Sequence, residues 1–202
     1  MSNSIRDDLR SRLEGTSVDE AVDILFAFLC DRGTAHYEER VTQIEHALQC
    51  AALAEAEGCD DTVVTAALFH DIGHLLIDEH ESQTGISDED PGHEAVGASL
   101  LQDYFPAKVT EPVRLHVPAK RYLCTTDESY YDQLSDASKR SFQVQGGKLS
   151  ADEKAELESN PGLKTALKLR LLDDRGKQIG GNVPEIQMFA AHVGRCLRPD
   201  RP

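Results

Sequence analysis

Six histidine and aspartate residues are distributed along the sequence as the ligands of a metal site would be. They lie near the ends of predicted helices, and two of them, His70 and Asp71, are adjacent. Adjacent side chains on a helix point about 100° apart, so this pair can bind one ion at its edge or bridge two ions. Imidazole nitrogens and carboxylate oxygens are common ligands of transition metals. The predicted ligands are His46, His70, Asp71, His93, His116 and Asp173.

Each of these histidines taken alone could equally be a surface residue, because short patterns also occur by chance. His36, His80 and His192 are histidines that we place outside the predicted site. The joint pattern favours a metal centre, since five separate predicted helices each carry a ligand within about a turn of one end.

The net charge of the chain excludes some classes of partner. Lysine and arginine number 21 and aspartate and glutamate number 36, which gives a formal net charge of −15. A chain this acidic repels nucleic-acid backbones and anionic membrane surfaces, so we expect neither as a partner. A small anionic substrate would require a local cluster of cations.

The cysteines and the apolar segments indicate the cellular compartment of the protein. The five cysteines are an odd number without a C-x-x-C spacing, which favours neither a disulfide framework nor a zinc finger. The longest apolar run, at residues 21–30, is too short to span a bilayer, and no signal peptide is evident. We therefore expect a cytoplasmic protein.

The elements that position these residues are predicted to be helices, since strand-like alternation is nearly absent and helix signals recur. Thr42 and Glu45 form a capping box, and the helix that follows should end at Gly58. Another helix should extend from about Asp61 through His74. We predict an all-α fold, a helical bundle.

Prolines mark the boundaries of the later helices. Asp90 and Pro91 should begin one of them. The next should be short and reach His116, with a break or kink at Val117, because Pro118 disfavours helical geometry at the residue before it. A late helix should extend from Asn160-Pro161 to about Gly176. The acidic residues 77–92 are predicted to form a loop within one domain that comprises residues 1–202.

The order of the ligands resembles a known superfamily. His46, His70-Asp71 and Asp173 follow one another as in the HD-domain superfamily, most of whose members resemble metal-dependent phosphohydrolases. Residues 116–123 (HVPAKRYL) and 134–138 (LSDAS) resemble one branch more specifically, and the match extends from about Glu39 to Gln178. That branch comprises the HD-domain mixed-valent diiron oxygenases of organophosphonate catabolism.

This resemblance implies a cofactor, a reaction and a binding role for particular residues. The six predicted ligands would bind two iron ions in a mixed-valent Fe(II)/Fe(III) pair, with Asp71 bridging them. The enzyme would use O2 to cleave the C–P bond of a small 1-hydroxyphosphonate into a carboxylate and phosphate. Glu39 would face the amino end of the substrate. The residues implied to bind the phosphonate are His74, Lys120, Ser138 and Arg170.

The spacing of these residues is compatible with the implied roles. Arg170 and Asp173 are three residues apart, and His70 and His74 are four apart, so each pair should share a helix face. Together with Lys120, these side chains would supply the local cations that an anionic substrate needs.

Each implied substrate contact also has a structural alternative. Lys120 and Arg170 could form surface salt bridges, as most charged side chains are solvated. The Ser138 hydroxyl could bond to its own helix backbone. Glu39 could have no substrate role and simply interact favourably with the dipole of the following helix.

The segment before the first helical ligand bears on the substrate. Tyr37 supplies a ring face next to His36, Glu38 and Glu39, a combination that favours a quaternary ammonium through cation–π contact. We therefore expect (R)-1-hydroxy-2-(trimethylammonio)ethylphosphonate as substrate, with glycine betaine and phosphate as products. The alternative is (R)-2-amino-1-hydroxyethylphosphonate, which would give glycine and phosphate.

Two other classes of function stay open on the residues alone. A metal-dependent phosphohydrolase would use the same ligands, but it does not account for the segments at 116–123 and 134–138. A degenerate HD domain that senses a ligand would be expected to have lost metal ligands, and none is missing from the pattern.

Overall fold

The computed structural model describes residues 3–36, 41–77, 92–181 and 183–202, and in these parts of the chain the predicted all-α fold is confirmed. A 3₁₀ turn, Ile186–Phe189, precedes the last helix. The helices are α1 Asn3–Leu13, α2 Val18–Arg32, α3 Gln43–Ala56, α4 Asp61–Phe69, α5 Ile72–Leu76, α6 His93–Leu101, α7 Ala107–Thr126, α8 Glu128–Gln133, α9 Asp136–Val144, α10 Ala151–Ser159, α11 Leu163–Arg175 and α12 Ala190–Cys196.

The start of α3 follows the predicted capping box. The Thr42 side chain accepts a hydrogen bond from the Glu45 backbone N–H, and the Glu45 carboxylate accepts one from the Thr42 N–H at 2.7 Å. These bonds satisfy backbone donors that a helix start otherwise leaves without partners. At the other end, Gly58 has a φ of 69° and stops the chain from continuing as a helix. The local sequence therefore fixes both ends of the helix that carries His46.

The prediction of one helix from Asp61 through His74 is wrong. α4 ends at Phe69, and the backbone turns at Asp71, with φ −99° and ψ 9°, before α5 begins. The ring of His70 lies in this turn, where its Nδ1 is 2.9 Å from the carbonyl oxygen of Ala67. His70 and His74 consequently do not share the face of one continuous helix.

The prediction that the helix before Pro118 is short and reaches only His116 is also wrong. α7 continues through Pro112 and Pro118 for 20 residues. Each proline removes one backbone donor from the helix. The helix nevertheless persists because it is central in the fold and packs against α4, α6 and α11, which bury its His116 and Ala119 side chains. Lys120 therefore lies one helical turn after His116.

One apolar cluster extends across most of the described chain. It includes Leu9 of α1 and Leu197 beyond α12, and most of its members are aliphatic. A smaller cluster of Cys124, Leu134 and Phe142 lies where α8 and α9 meet α7. Among the described residues, no helix combines the length and apolar character needed to cross a membrane.

Candidate metal centre and anion-binding residues

The structure brings the six predicted ligands together, in two groups. The first group contains the imidazoles of His46, on α3, and His70, after α4, whose Nε2 atoms are 3.2 Å apart. Asp71 Oδ2 lies 3.5 Å from His46 Nε2 and 3.3 Å from His70 Nε2. Asp173, near the end of α11, places Oδ1 3.3 Å from His46 Nε2. Two nitrogens and two carboxylate oxygens thus converge on one point.

The second group contains His93, at the start of α6, and His116, in the middle of α7. Their Nε2 atoms are 3.1 Å apart. Asp71 Oδ1 lies 3.5 Å from each of them. The Asp71 carboxylate therefore directs one oxygen to each group, which is the arrangement expected of a bridge between two ions.

Hydrogen bonds to the backbone orient three of the imidazoles. The Nδ1 atoms of His46, His70 and His116 lie 2.7–2.9 Å from the carbonyl oxygens of Gly176, Ala67 and Val113. A carbonyl oxygen can only accept, so each Nδ1 carries a proton, and each ring in its neutral form presents the lone pair of Nε2. Lone pairs that face each other at 3.2 Å repel unless a cation lies between them. The donor set therefore fits metal ions in both groups.

The charges in the cluster influence one another. Desolvation raises the pKa of Asp71, but the surrounding imidazoles outweigh it, and the pKa lies well below its usual value. Burial and the neighbouring His93 hold the pKa of His116 well below its usual value. Asp71 is therefore ionised and His116 neutral at neutral pH, the forms in which these side chains bind metals.

Lys120 lies one helical turn after the predicted ligand His116 and is buried, with only 3% of its surface exposed. Its Nζ donates a hydrogen bond to Ser141 Oγ at 2.8 Å. Burial, and then the neighbouring Arg170, lowers the pKa of Lys120 to about 7. The structural alternative of a surface salt bridge does not apply to a lysine in this position.

Lys177 is a second lysine at this place. Its Nζ donates to Ser138 Oγ at 3.2 Å and lies 3.6 Å from Asp173 Oδ1. The residues on either side of it are held against α3. The carbonyl of Gly176 accepts from His46, and Gln178 exchanges two hydrogen bonds with the side chain of Gln49. Lys177 thus connects the buried Ser138 to the first ligand group.

Arg170 is buried, and each of its three nitrogens faces an acceptor. Nη1 donates to Asp173 Oδ2 at 2.6 Å, which agrees with the predicted common helix face. Nη2 donates to Asp174, and Nε donates to the Tyr130 hydroxyl at 3.1 Å. Arg170 thus contacts Oδ2 of the predicted ligand Asp173, whereas His46 faces its Oδ1.

The remaining predicted contacts lie at the second ligand group or outside the described residues. His74 stacks on His93, with 3.8 Å between ring centroids and 18° between planes. Tyr37 and Glu39 fall outside the part of the chain that the structure describes. The described residues that flank them, His36 and Thr42, pair through an isolated β-bridge just before α3.

Comparison with known proteins decides the family. Residues 44–139 match the HD domain family. The chain is 48% identical over 178 residues to the hydroxymethylphosphonate dioxygenase of Gimesia maris, a match that covers 88% of this chain and 89% of that protein. It is 43% identical over 171 residues to the glycine-betaine-forming [1-hydroxy-2-(trimethylamino)ethyl]phosphonate dioxygenase of Leisingera caerulea, covering 82% and 85%. The chain belongs to the HD-domain phosphonate dioxygenases.

A more distant similarity has no named activity. An uncharacterized protein of Acanthamoeba polyphaga mimivirus is 32% identical over 158 residues, which cover 78% of this chain and 72% of that protein. The predicted family and the prediction of an oxygenase enzyme are confirmed by the two named relatives. Of the three classes that the residues left open, these relatives favour the oxygenase over the phosphohydrolase and the ligand sensor.

Sequence reasoning assigned no role to three residues that the structure places beside the site of this HD-domain phosphonate dioxygenase. The sequence contains a signal for Lys177, because this residue follows Asp173 by four positions, within the segment that matches the family. Ser141 follows Ser138 by one helical turn on α9. The sequence contains no signal for Tyr130, since only the tertiary fold brings this residue to Arg170, 40 residues later in the sequence.

Proposed function

We propose that this chain is a diiron oxygenase that cleaves the C–P bond of a small 1-hydroxyphosphonate. The substrate carbon would become a carboxylate and the phosphonate would become inorganic phosphate, with one O2 supplying both added oxygen atoms. The observation that carries the proposal is the position of Asp71, whose two oxygens each face a pair of imidazole nitrogens at 3.3–3.5 Å. Both named relatives are dioxygenases of 1-hydroxyphosphonates.

The metals proposed are two iron ions in a mixed-valent state. His46, His70, Asp71 and Asp173 would hold one, and Asp71, His93 and His116 would hold the other. Mixed nitrogen and carboxylate ligation with open positions suits iron that reacts with O2. When bound, the irons would supply the activation of O2 and the oxidation of the substrate, which no side chain of this chain can perform.

The residues beside the metals would bind and orient the substrate. A phosphonate dianion would be held by charge-assisted hydrogen bonds from Lys120 and Lys177 and by the hydroxyl of Ser138. Arg170 retains N–H groups beyond the three bonds described above, and its positive charge lies in the same cluster. His74 would contribute from the second ligand group.

These cations also explain how a chain of net charge −15 accepts an anionic substrate. Lys120 and Arg170 lie on α7 and α11, so packed helices set their positions. Lys177 lies just beyond the end of α11, between residues that are hydrogen-bonded to α3. A substrate held in this way would keep its C1 carbon in one place relative to the metals, and positioning of this kind lowers the barrier of a reaction.

Two observations favour different substituents at the end of the substrate that lies away from the phosphonate. Tyr37 and Glu39 in the sequence favour a cationic end, and the relative from Leisingera caerulea acts on a trimethylammonium compound. The relative at 48% identity acts on hydroxymethylphosphonate, which has no cationic end. The trimethylammonium substrate stays our prediction, with hydroxymethylphosphonate as the second candidate. The primary-amine compound stays an alternative.

We further propose that residues 1–202 form one domain. The apolar cluster that includes both Leu9 and Leu197 supports this, because the two chain ends contribute to one core. A single cooperative transition in calorimetry, with the iron site lost in the same transition, is the expected result. Two separate transitions would contradict it.

The activity is tested with protein expressed in iron-supplemented medium. We expect two irons per chain and, with a 1-hydroxyphosphonate, one phosphate released per O2 consumed. Asp71→Ala should lose at least one iron, whereas Asp152→Ala, at an exposed position of α10, should keep both. Phosphate release that continues without O2, or protein that holds zinc or manganese but no iron, would overturn the oxygenase proposal.

A further inference from the structure

Tyr130 and Asp174 form a closed set of hydrogen bonds with Arg170, and neither residue belongs to the two ligand groups. The Tyr130 hydroxyl donates to Asp174 Oδ2 at 2.5 Å and accepts from Arg170 Nε at 3.1 Å. The other oxygen of Asp174 accepts from Arg170 Nη2. Two nitrogens of the guanidinium, on one edge of its plane, are thus fixed by one phenol and one carboxylate.

This arrangement leaves Arg170 Nη1 directed at Asp173. The Nη1–Oδ2 distance is 2.6 Å, and the second oxygen of Asp173 lies 3.3 Å from His46 Nε2. Because a guanidinium is planar and rigid, fixing two of its nitrogens also fixes the direction of the third. The orientation of the Asp173 carboxylate is therefore set by a chain of contacts that begins at Tyr130.

Tyr130 is held in place by contacts that do not involve the two ligand groups. It lies on α8, whose start is capped by the Asp127 side chain, and its ring packs against the apolar cluster of Cys124, Leu134 and Phe142. Burial, together with the adjacent Asp174 carboxylate, raises the pKa of Tyr130 above its ordinary value despite the opposing charge of Arg170. The phenol consequently keeps its proton as a hydrogen-bond donor at neutral pH.

We propose that Tyr130 and Asp174 are positioning residues that hold Asp173 in its metal-binding orientation through Arg170. The inference rests on the proposed metal site but not on the identity of the substrate. Neither residue is one of the six predicted ligands or of the predicted phosphonate contacts. Outer contacts that orient a metal ligand typically change metal affinity or activity by about 10- to 100-fold when they are removed.

The test measures iron retention directly. Wild type and variants are loaded anaerobically with Fe(II), and the release of iron to excess EDTA is followed over time. Tyr130→Phe and Asp174→Asn should each release one of the two irons about tenfold faster than the wild type, or more. Tyr131→Phe is the matched control, because it removes a hydroxyl from the next residue of α8, whose ring packs on Phe142 at 5.5 Å. It should behave as the wild type.

A second measurement separates positioning from loss of fold. Metal-free protein is titrated with Mn(II) and followed by electron paramagnetic resonance, while circular dichroism and Tm report the fold. We expect the Mn(II) spectrum of Tyr130→Phe and Asp174→Asn to differ from that of the wild type, with helical content unchanged. If one variant does not fold, the other decides.

Iron release and Mn(II) spectra equal to those of the wild type and of Tyr131→Phe would overturn the positioning role. Both readouts are independent of turnover, so they stay informative if the protein does not cleave a phosphonate. If the wild type binds no metal in either assay, the proposed metal site itself fails, and the positioning role fails with it. A wild type that binds metal normally but cleaves no phosphonate would contradict only the proposed function.

Discussion

Gly73 and His93 pack so closely that a β-carbon on Gly73 would lie 1.8 Å from the carbonyl oxygen of His93. Gly73 is on α5, two residues after Asp71, and His93 begins α6. The contact therefore joins the backbone that carries the central carboxylate to the backbone that carries an imidazole of the second ligand group.

We expect Gly73→Ala to destabilise the protein by about 3 kcal/mol or more, because the obstacle is backbone, which cannot rotate away as a side chain can. The variant should also bind less iron, since α6 would have to move with His93. Denaturant unfolding and metal analysis measure the two effects. The control is Gly194→Ala on α12, where an added β-carbon would meet Val18 at an ordinary 3.4 Å. Equal stability of the two variants would contradict the prediction.

Removal of either lysine amine beside the cluster should weaken substrate binding. Lys120→Met and Lys177→Met are each expected to raise KM about 10- to 100-fold, since a charge-assisted hydrogen bond contributes about 1.5–3 kcal/mol and each 1.4 kcal/mol is a factor of ten. Iron content should stay at the wild-type level. Lys154→Met, which removes an exposed partner of Glu158, is the control. An unchanged KM in both cluster variants would place the phosphonate elsewhere.

Anion binding should take up a proton at slightly alkaline pH. With a pKa of about 7, Lys120 is mostly neutral at pH 8, and a dianion beside it favours the charged form. Affinity should therefore fall as pH rises through about 7, and proton uptake should disappear well below pH 7, where the amine is already charged. Calorimetry with sulfate, in two buffers of different ionisation enthalpy, measures this in iron-loaded protein without O2. Lys120→Met should show no uptake, and uptake equal to the wild type would disprove the assignment.

The far end of the substrate is tested with three compounds. Glu39→Gln should lower kcat/KM for the trimethylammonium and primary-amine substrates but leave hydroxymethylphosphonate unaffected, because only the first two are cations. Tyr37→Ala should reduce turnover of the trimethylammonium compound most, since an aromatic face stabilises such a cation by about 0.5–2 kcal/mol. Phosphate release under O2 is the readout. A wild type that prefers hydroxymethylphosphonate, with both variants unchanged toward it, would replace the predicted substrate by the second candidate.

The sequence alone was sufficient for features that depend on neighbouring residues. The capping box of Thr42 and Glu45 and the stop at Gly58 involve atoms within one turn of helix, so residue type and spacing specify them. The pairing of Arg170 with Asp173 is of the same kind, because residues three apart on a helix are neighbours. The family resemblance was likewise readable from the order of short segments.

Only the tertiary structure decided the features in which packing overrides local preference. The turn at Asp71 places its two oxygens between two pairs of imidazoles from four different elements, and helical periodicity does not specify how those elements pack together. The continuity of α7 through Pro118 reflects burial against three other helices. Contacts such as those of Tyr130 with Arg170 join residues far apart in sequence. Their distances depend on the summed packing of the bundle, which no local pattern encodes.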